Sequence, residues 1–100
     1  MLILGHVAQL QWGDGNARKS ADKHGVSQAE AEHVFFNEPL LLMEDAQHSV
    51  AEPRFHALGR TDGGRKLHIT FTLRRNVTHL RVISARDMHK KERTFYDKEG

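Results

Sequence analysis

The stretch that decides the fold is residues 66–74, KLHITFTLR. Its side chains alternate between apolar and polar, a pattern typical of a β-strand with one buried face. The core-facing set is Leu67, Ile69, Phe71 and Leu73. The glycines of Thr61-Asp62-Gly63-Gly64, just before this stretch, predict a turn in which positive φ angles are needed. Residues 66–74 therefore belong to an antiparallel meander.

Four further strands are predicted around this one. An N-terminal strand is expected to run to about Leu10. The period-two patterns and the turn residues between them place the others at Leu40 to Glu44, Arg54 to Gly59, and His79 to Ala85.

Two helices are predicted in the first third of the chain. The first covers Gly15 to His24, with Asp14 as its N-cap and Gly25 ending it in a left-handed conformation. The second begins at the capping box Ser27-Gln28-Ala29-Glu30 and continues to about Phe36.

A basic helix is predicted from Asp87 onward, with Met88 and Phe95 on one face. The fold class is therefore α+β: two N-terminal helices packed on a mostly antiparallel sheet of four to five strands, followed by a C-terminal helix. Two helices cover only one face of such a sheet. The other face is expected to present to solvent or to a ligand the side chains of Arg54, His56, His68, Thr70, Thr72 and Arg74.

Composition limits what the chain can do. One hundred residues, 38% of them hydrophobic, predict one domain over residues 1–100. The absence of cysteine excludes disulfides, thiolate zinc sites and a cysteine nucleophile. The longest aliphatic run, residues 40–43, is too short for a membrane helix, and the N-terminus has no basic secretory n-region. A cytoplasmic protein without membrane contact is expected.

The formal net charge of +2 is small for a protein that binds nucleic acid by charge alone. The positive side chains are nevertheless concentrated beyond Gly59, whereas the acidic ones concentrate in the middle third. This asymmetry indicates where an anionic ligand would bind.

Short motifs recur along the chain in a definite order. They are Trp12, Lys23-His24-Gly25-Val26-Ser27, Val34-Phe35, Glu38-Pro39, Asp45, His48-Ser49, Glu52, Arg54, Gly59, Thr72, Arg74, Arg81-Val82-Ile83-Ser84-Ala85-Arg86, Glu92 and Tyr96. In this order and spacing they resemble the BrnT-type toxins of bacterial type II toxin–antitoxin modules. The resemblance runs from about Trp12 to Tyr96, and residues 1–10 lie before it as an extension or a first strand.

The resemblance implies a RelE-like fold and a ribonuclease toxin that blocks translation and growth by cleaving RNA. It also implies a BrnA-like antitoxin with a ribbon-helix-helix domain, assembled with the toxin as a heterotetramer. Operator DNA would then be contacted only through the antitoxin. No cofactor is implied.

Three positions depart from the family pattern. The family has Asp directly after the tryptophan, Lys four residues after it and Asn eight after it, whereas this chain has Gly13, Asn16 and Ser20. These departures leave open an alternative function, a catalytically weak module of the same fold that binds RNA or the antitoxin.

Metal-independent RNA cleavage needs a base for the 2′-hydroxyl, a positive group on the phosphorane and an acid for the leaving oxygen. The guanidinium group suits the second task because its fork matches two phosphate oxygens. The candidate phosphate-binding residues are therefore Arg54, Arg74, Arg81 and Arg86. For each of them a structural salt bridge is the competing interpretation.

The proton-transfer groups are less clearly marked. Lys23 and His24 lie at a helix C-terminus, where the helix dipole favours a cation. Glu52 is a candidate base, although a salt bridge with Arg54 explains it equally well. Tyr96 is a candidate acid or substrate contact, with packing as the alternative. His68 and Thr72 complete the substrate-binding set on the polar face of the sheet.

A metal site was the remaining alternative. His48, Glu52 and His56 are four residues apart, a spacing that binds metals on a helix. Pro53 lies inside this segment and a strand follows it, so the three do not share a helical face. No metal site is predicted.

Overall fold

The computed structural model describes residues 9–12, 23–48, 53–74 and 79–100. Within these ranges the strands and helices follow a simple order. In chain order they are β1 (Gln9–Trp12), α1 (Gln28–Val34), β2 (Leu41–Glu44), a 3-10 turn (Ala46–His48), β3 (Arg54–Arg60), β4 (Lys66–Arg74), β5 (His79–Asp87) and α2 (Lys90–Glu99). Neither of these helices is long and apolar enough to cross a membrane.

The strands form one sheet in the order β1-β5-β4-β3-β2. Strands β2 to β5 are antiparallel to their neighbours, and β1 pairs with β5 in parallel. The predicted α+β class and antiparallel strands are confirmed. The bounds of β4 agree with the prediction, whereas β5 continues two residues further, to Asp87.

Helix α1 begins where its sequence predicts. The Ser27 side chain accepts a hydrogen bond from the Glu30 N–H, and the Glu30 carboxylate accepts one from the Ser27 N–H. The helix ends at Val34, two residues before the predicted end. The other predicted N-terminal helix, Gly15 to His24, lies largely outside the described residues. Its last two residues, 23 and 24, are helical. Gly25 has a φ of +64°, as expected of a left-handed stop.

The apolar face of the sheet packs against α1. The four alternating residues of β4 are nearly inaccessible to solvent, as predicted, and Ala31 and Val34 of α1 belong to the same core. Phe71 is in edge contact with Phe35 and stacks on Phe55, with ring centroids 5.4 and 5.5 Å apart. This apolar contact fixes α1 across the middle of the sheet.

Arg65 joins four segments beside this core. Its guanidinium group donates to both carboxylate oxygens of Asp87 at 2.7 and 2.9 Å, to the carbonyl oxygens of His24 and Gly25, and to Glu30. These contacts lower the pKa of Asp87. The side chain thus connects the Gly25 turn and the start of α1 to the end of β5.

The polar face of the sheet is more covered than the sequence predicts. His68, Thr70 and Thr72 are each only 8% exposed, so the expectation of an open face is wrong for β4. The physical reason is that α2 packs on the same face, where Tyr96 and Met88 form a second apolar cluster with Leu58.

The buried face of α2 also differs from the prediction. Tyr96 is its buried residue, whereas Phe95 is 45% exposed, and Met88 precedes the helix instead of lying within it. The Tyr96 hydroxyl donates to the carbonyl oxygen of Pro39 at 2.6 Å.

A cluster of ionisable side chains attaches α2 to the sheet. Arg86 donates through both terminal nitrogens to the two carboxylate oxygens of Glu92, at 2.8 and 3.0 Å. Burial opposes ionisation of Glu92, yet the hydrogen bonds from Arg86 and the His89 N–H hold its pKa at about 2. Burial, reinforced by the Arg86 charge, lowers the pKa of His68 to about 4.

Gly59 is expected to be intolerant of a side chain. An added Cβ would lie 2.6 Å from Val34 Cγ1 and 3.3 Å from the Val34 carbonyl oxygen. Gly59→Ala should therefore lower the free energy of unfolding by about 1–3 kcal/mol, because α1 must shift away from β3. The control is Gly63→Ala, where the nearest atom is 3.8 Å away. Equal urea midpoints for the two variants would contradict this packing.

His68 should make stability depend on pH. Because its pKa is lower in the folded protein than in the unfolded chain, the unfolded chain binds the proton more readily. The contribution of neutral His68 is fully present above pH 6.5 and is lost as the pH falls toward 4, by on the order of 2 kcal/mol. Urea unfolding between pH 7.5 and 4.5 should give a smaller slope for His68→Gln than for the unchanged chain. Equal slopes would show that His68 does not titrate in this way.

Candidate functional site

A row of three side-chain positions crosses the polar face of the sheet. In the register of β3, β4 and β5, Arg54 is paired with Thr72 and Thr72 with Arg81. Because neighbouring strands are about 4.8 Å apart, the two arginine Cα atoms lie roughly 10 Å from each other. We call Arg54, Thr72 and Arg81 the arginine row.

The arginine row combines charge with partial exposure. Both arginines are half-buried, whereas Thr72 between them is buried. The Thr72 hydroxyl has no hydrogen-bond partner among the described residues. Arg81 likewise forms no ion pair with the side chains of the described residues. The row therefore places two guanidinium groups on either side of a hydroxyl, an arrangement suited to a phosphate group.

Next to the arginine row lies an oriented histidine. The His56 Nε2 is 2.9 Å from the Asp45 carboxylate, and its Nδ1 is 3.2 Å from the Thr70 hydroxyl. In the tautomer with the proton on Nε2, Nε2–H donates to Asp45 and Nδ1 accepts from the Thr70 hydroxyl. A carboxylate that holds the imidazole in one orientation and tautomer is a common arrangement for proton transfer.

The ring of His68 lies against that of His56, with centroids 4.9 Å apart. His68 is uncharged at neutral pH because burial keeps its pKa at about 4. Its Nε2 lies 3.9 Å from Glu92, and its Nδ1 has no partner among the described residues. His68 is thus a neutral neighbour of His56, and its predicted role in substrate binding remains a prediction.

Two residues proposed for substrate binding have structural partners. Arg86 is bound to Glu92 through both terminal nitrogens. Tyr96 is buried, and its hydroxyl donates to Pro39. In both cases the contact corresponds to the competing interpretation, a salt bridge for Arg86 and packing for Tyr96. Both side chains therefore have structural contacts in the described part of the chain, and their predicted contact with the substrate stays a prediction.

Lys23 and His24 lie elsewhere. The His24 carbonyl oxygen accepts from Arg65, which is seven residues before Thr72. Seven residues of extended chain span about 23 Å. The structure therefore does not bring Lys23 and His24 together with the arginine row.

For the remaining predicted site residues, either the whole residue or its side chain lies outside the part of the chain that the structure describes. Glu52 is not among the described residues. Arg74 ends β4 and is paired with His79, but its side chain is outside the described part. The positions that depart from the family pattern, Gly13, Asn16 and Ser20, are also outside it.

Sequence reasoning missed the pairing of Asp45 with His56. The sequence pattern places His56 on the polar face that is open to solvent or a ligand and gives Asp45 as part of a family motif, but it does not indicate that the two side chains pair. The sequence gives little sign of this pair because the two residues are eleven apart and separated by a loop, so the contact depends on β2 pairing with β3.

In the described ranges no group of three metal-ligating side chains is found.

Comparison with solved structures finds the same fold in another protein. A solved structure, that of the Brucella abortus ribonuclease toxin BrnT, is similar with a TM-score of 0.61 and 20% sequence identity, over 84% of this chain and 100% of that one. At this identity the likeness shows a shared fold. No curated protein matches the sequence.

The sequence itself matches a family model described as the ribonuclease toxin BrnT of type II toxin–antitoxin systems. The match covers residues 12–92, from the last residue of β1 to the first turn of α2. It therefore includes all three members of the arginine row and the Asp45–His56 pair. The chain belongs to the BrnT family of ribonuclease toxins of type II toxin–antitoxin systems.

Proposed function

We propose that this toxin cleaves RNA on the polar face of β3, β4 and β5, with Arg54 and Arg81 binding the scissile phosphate. The observation that carries the proposal is the register Arg54–Thr72–Arg81 across three adjacent strands. Two guanidinium groups on a rigid sheet can contact different oxygens of one phosphate. They stabilise the extra negative charge of a phosphorane more than that of the bound phosphodiester.

The proposed reaction uses no metal ion. The RNA 2′-oxygen attacks phosphorus, the bond from phosphorus to the 5′-oxygen breaks, and the products carry a 2′,3′-cyclic phosphate and a 5′-hydroxyl. His56 accepts the 2′-hydroxyl proton at Nδ1, in place of the hydrogen bond from Thr70, and Asp45 stabilises the imidazolium that forms. His56 lies two residues from Arg54 on the same face of β3, which supports this assignment.

The proton for the leaving 5′-oxygen needs a second group. Glu52, two residues before Arg54, is the proposed donor for this step, and Arg74 is a proposed third phosphate contact at the end of β4. Lys23 and His24 are not part of this proposed centre because the structure holds them at the Arg65 end of β4. An alanine scan of toxicity over Lys23, His24, Glu52 and Arg74 ranks these candidates.

The finer features of the system are also proposals. The fold is proposed to be related to that of RelE ribonucleases, and the location to be cytoplasmic. The proposed partner is a BrnA-like ribbon-helix-helix antitoxin that forms a heterotetramer with the toxin. In this complex only the antitoxin would contact operator DNA. Membership of the family supports the presence of an antitoxin.

Removal of either arginine of the row should abolish most of the activity. Arg54→Ala and Arg81→Ala are each expected to reduce RNA cleavage by about 100-fold or more, the usual effect of losing one group that stabilises developing charge. The measurement is the initial rate of cleavage of a long single-stranded RNA in a buffer containing EDTA, with thermal melting as the check on folding. Growth arrest on expression should be lost in parallel.

The control is Lys98→Ala, which removes one positive charge from the exposed end of α2. It should leave cleavage unchanged. In RNA-binding titrations, each arginine variant should lower the slope of log affinity against log salt by about 0.7. Wild-type rates in both arginine variants would refute the phosphate assignment. Binding with the full salt slope but no cleavage by the unchanged chain would favour the RNA-binding alternative.

The antitoxin proposal predicts a short neighbouring gene that encodes a ribbon-helix-helix protein. Co-expression of that protein should restore growth, and the purified complex should have the mass of two copies of each chain. The complex, and not the toxin by itself, should shift a DNA fragment carrying the operator. A complex with one copy of each chain would rule out the heterotetramer.

A further inference from the structure

An open cavity of about 370 Å³ lies where α2 meets the polar face of the sheet. His56, Leu58 and His68 line it from the sheet side. Met43 and Phe95 also line it, and their side chains are 37% and 45% exposed. The volume lies at the small end of the range for sites that bind small organic molecules.

The groups around the cavity are suited to a flat heteroaromatic ring. Phe95 offers a partly exposed aromatic ring, and Met43 offers a polarisable thioether that packs well on aromatic rings. Two partly exposed large apolar side chains thus lie together at one small cavity beside histidines. Stacking is therefore the main contact that the cavity can provide.

Glu92 supplies a polar contact at the same cavity. Its Oε1 accepts from the Arg86 guanidinium and from the His89 N–H, whereas Oε2 accepts one bond from Arg86. A carboxylate oxygen accepts two hydrogen bonds, so Oε2 retains one acceptor position within the described structure. Such an acceptor fits the amino or imino N–H group at the edge of a nucleobase. Lys91, which also lines the cavity, adds a positive charge.

The cavity lies near the arginine row along β3. His56 forms part of its lining and is two residues from Arg54 along β3, a separation of about 7 Å. This is comparable with the reach from a phosphate to the base of an adjoining nucleotide. An RNA strand whose phosphate lies on the arginine row therefore brings a neighbouring base to the opening between Met43 and Phe95.

We propose that this cavity binds one unpaired nucleobase of the RNA substrate, stacked on Phe95, and that Phe95 is a residue that positions the RNA for cleavage. The inference rests on the proposed function, because the arginine row sets where the phosphate lies. Single-stranded RNA is commonly bound in this way, with bases unstacked from one another and placed on aromatic side chains.

The test measures the affinity for a fluorescein-labelled, eight-nucleotide 2′-O-methyl RNA, whose blocked 2′-oxygens cannot attack. Phe95→Ala should weaken binding by about tenfold, the usual effect of losing one base stack. Alanine is a strong helix former and Phe95 is exposed, so α2 should remain intact. Phe95→Trp should restore the affinity. Phe36→Ala removes another exposed phenylalanine, 80% accessible and not in the cavity lining, and should have no effect.

A second set of oligonucleotides makes the result specific to stacking. Each of the eight positions is made abasic in turn. For the unchanged toxin, at least one abasic position should weaken binding by about fivefold or more, and in Phe95→Ala that penalty should disappear. The assignment is overturned if no position gives a penalty, or if the penalty is the same in Phe95→Ala. It is also overturned if Phe95→Ala binds RNA normally but escapes the antitoxin, because the cavity would then bind the antitoxin.

Failure of this inference and failure of the proposed function give different results. If only the cavity assignment is wrong, Arg54→Ala and Arg81→Ala still lose cleavage while Phe95→Ala binds and cleaves like the unchanged toxin. If the arginine row does not bind phosphate, both arginine variants retain the full salt dependence of RNA binding.

Discussion

The central strand β4 is buried on both of its faces, and the rest of the structure depends on this constraint. Its apolar face lies against α1, as an alternating sequence requires. Its other face carries His68, Thr70 and Thr72, which are also buried. A buried polar group is costly unless it finds a hydrogen-bond partner. Thr70 has such a partner in His56, whereas the Thr72 hydroxyl and His68 Nδ1 have none among the described residues, and the candidate site is formed around these groups.

The partners come from both sides of β4. Thr70 meets His56 of β3, which is in turn held by Asp45 after β2. His68 lies beside His56 and near Glu92 of α2. One strand thus brings together an oriented imidazole and a charged helix. Helix α2 is attached to the sheet region through Glu92 and Tyr96. Phe95, which lies between these two residues in the chain, stays partly exposed and lines the cavity.

Arginines that look alike in the sequence have different roles in the structure. Arg65 connects the Gly25 turn, α1 and β5, and Arg86 attaches α2 through Glu92. Arg54 and Arg81 instead lie on either side of Thr72. The difference follows from position. Arg65 and Arg86 have acidic partners near chain reversals, whereas the arginine row crosses β3, β4 and β5 at the end of the sheet where β3 begins. A small net charge is compatible with a phosphate site because the positive side chains are not spread evenly: Arg65 and Arg86 are bound to carboxylates, while Arg54 and Arg81 are brought together by strand register.

The sequence by itself determined the elements that depend on local physics. The capping box sets the start of α1, Gly25 provides a left-handed stop, and the alternation of residues 66–74 defines a strand whose bounds the structure confirms. It also carried enough ordered motifs for the family to be identified. Only the tertiary structure decided which face α2 covers, since Met88 and Phe95 have helical spacing but Tyr96 is the buried residue of the helix. The pairing of Asp45 with His56 and the register of Arg54 with Arg81 were likewise decided by strand pairing, because long-range register depends on how the whole sheet assembles and leaves little trace in local sequence.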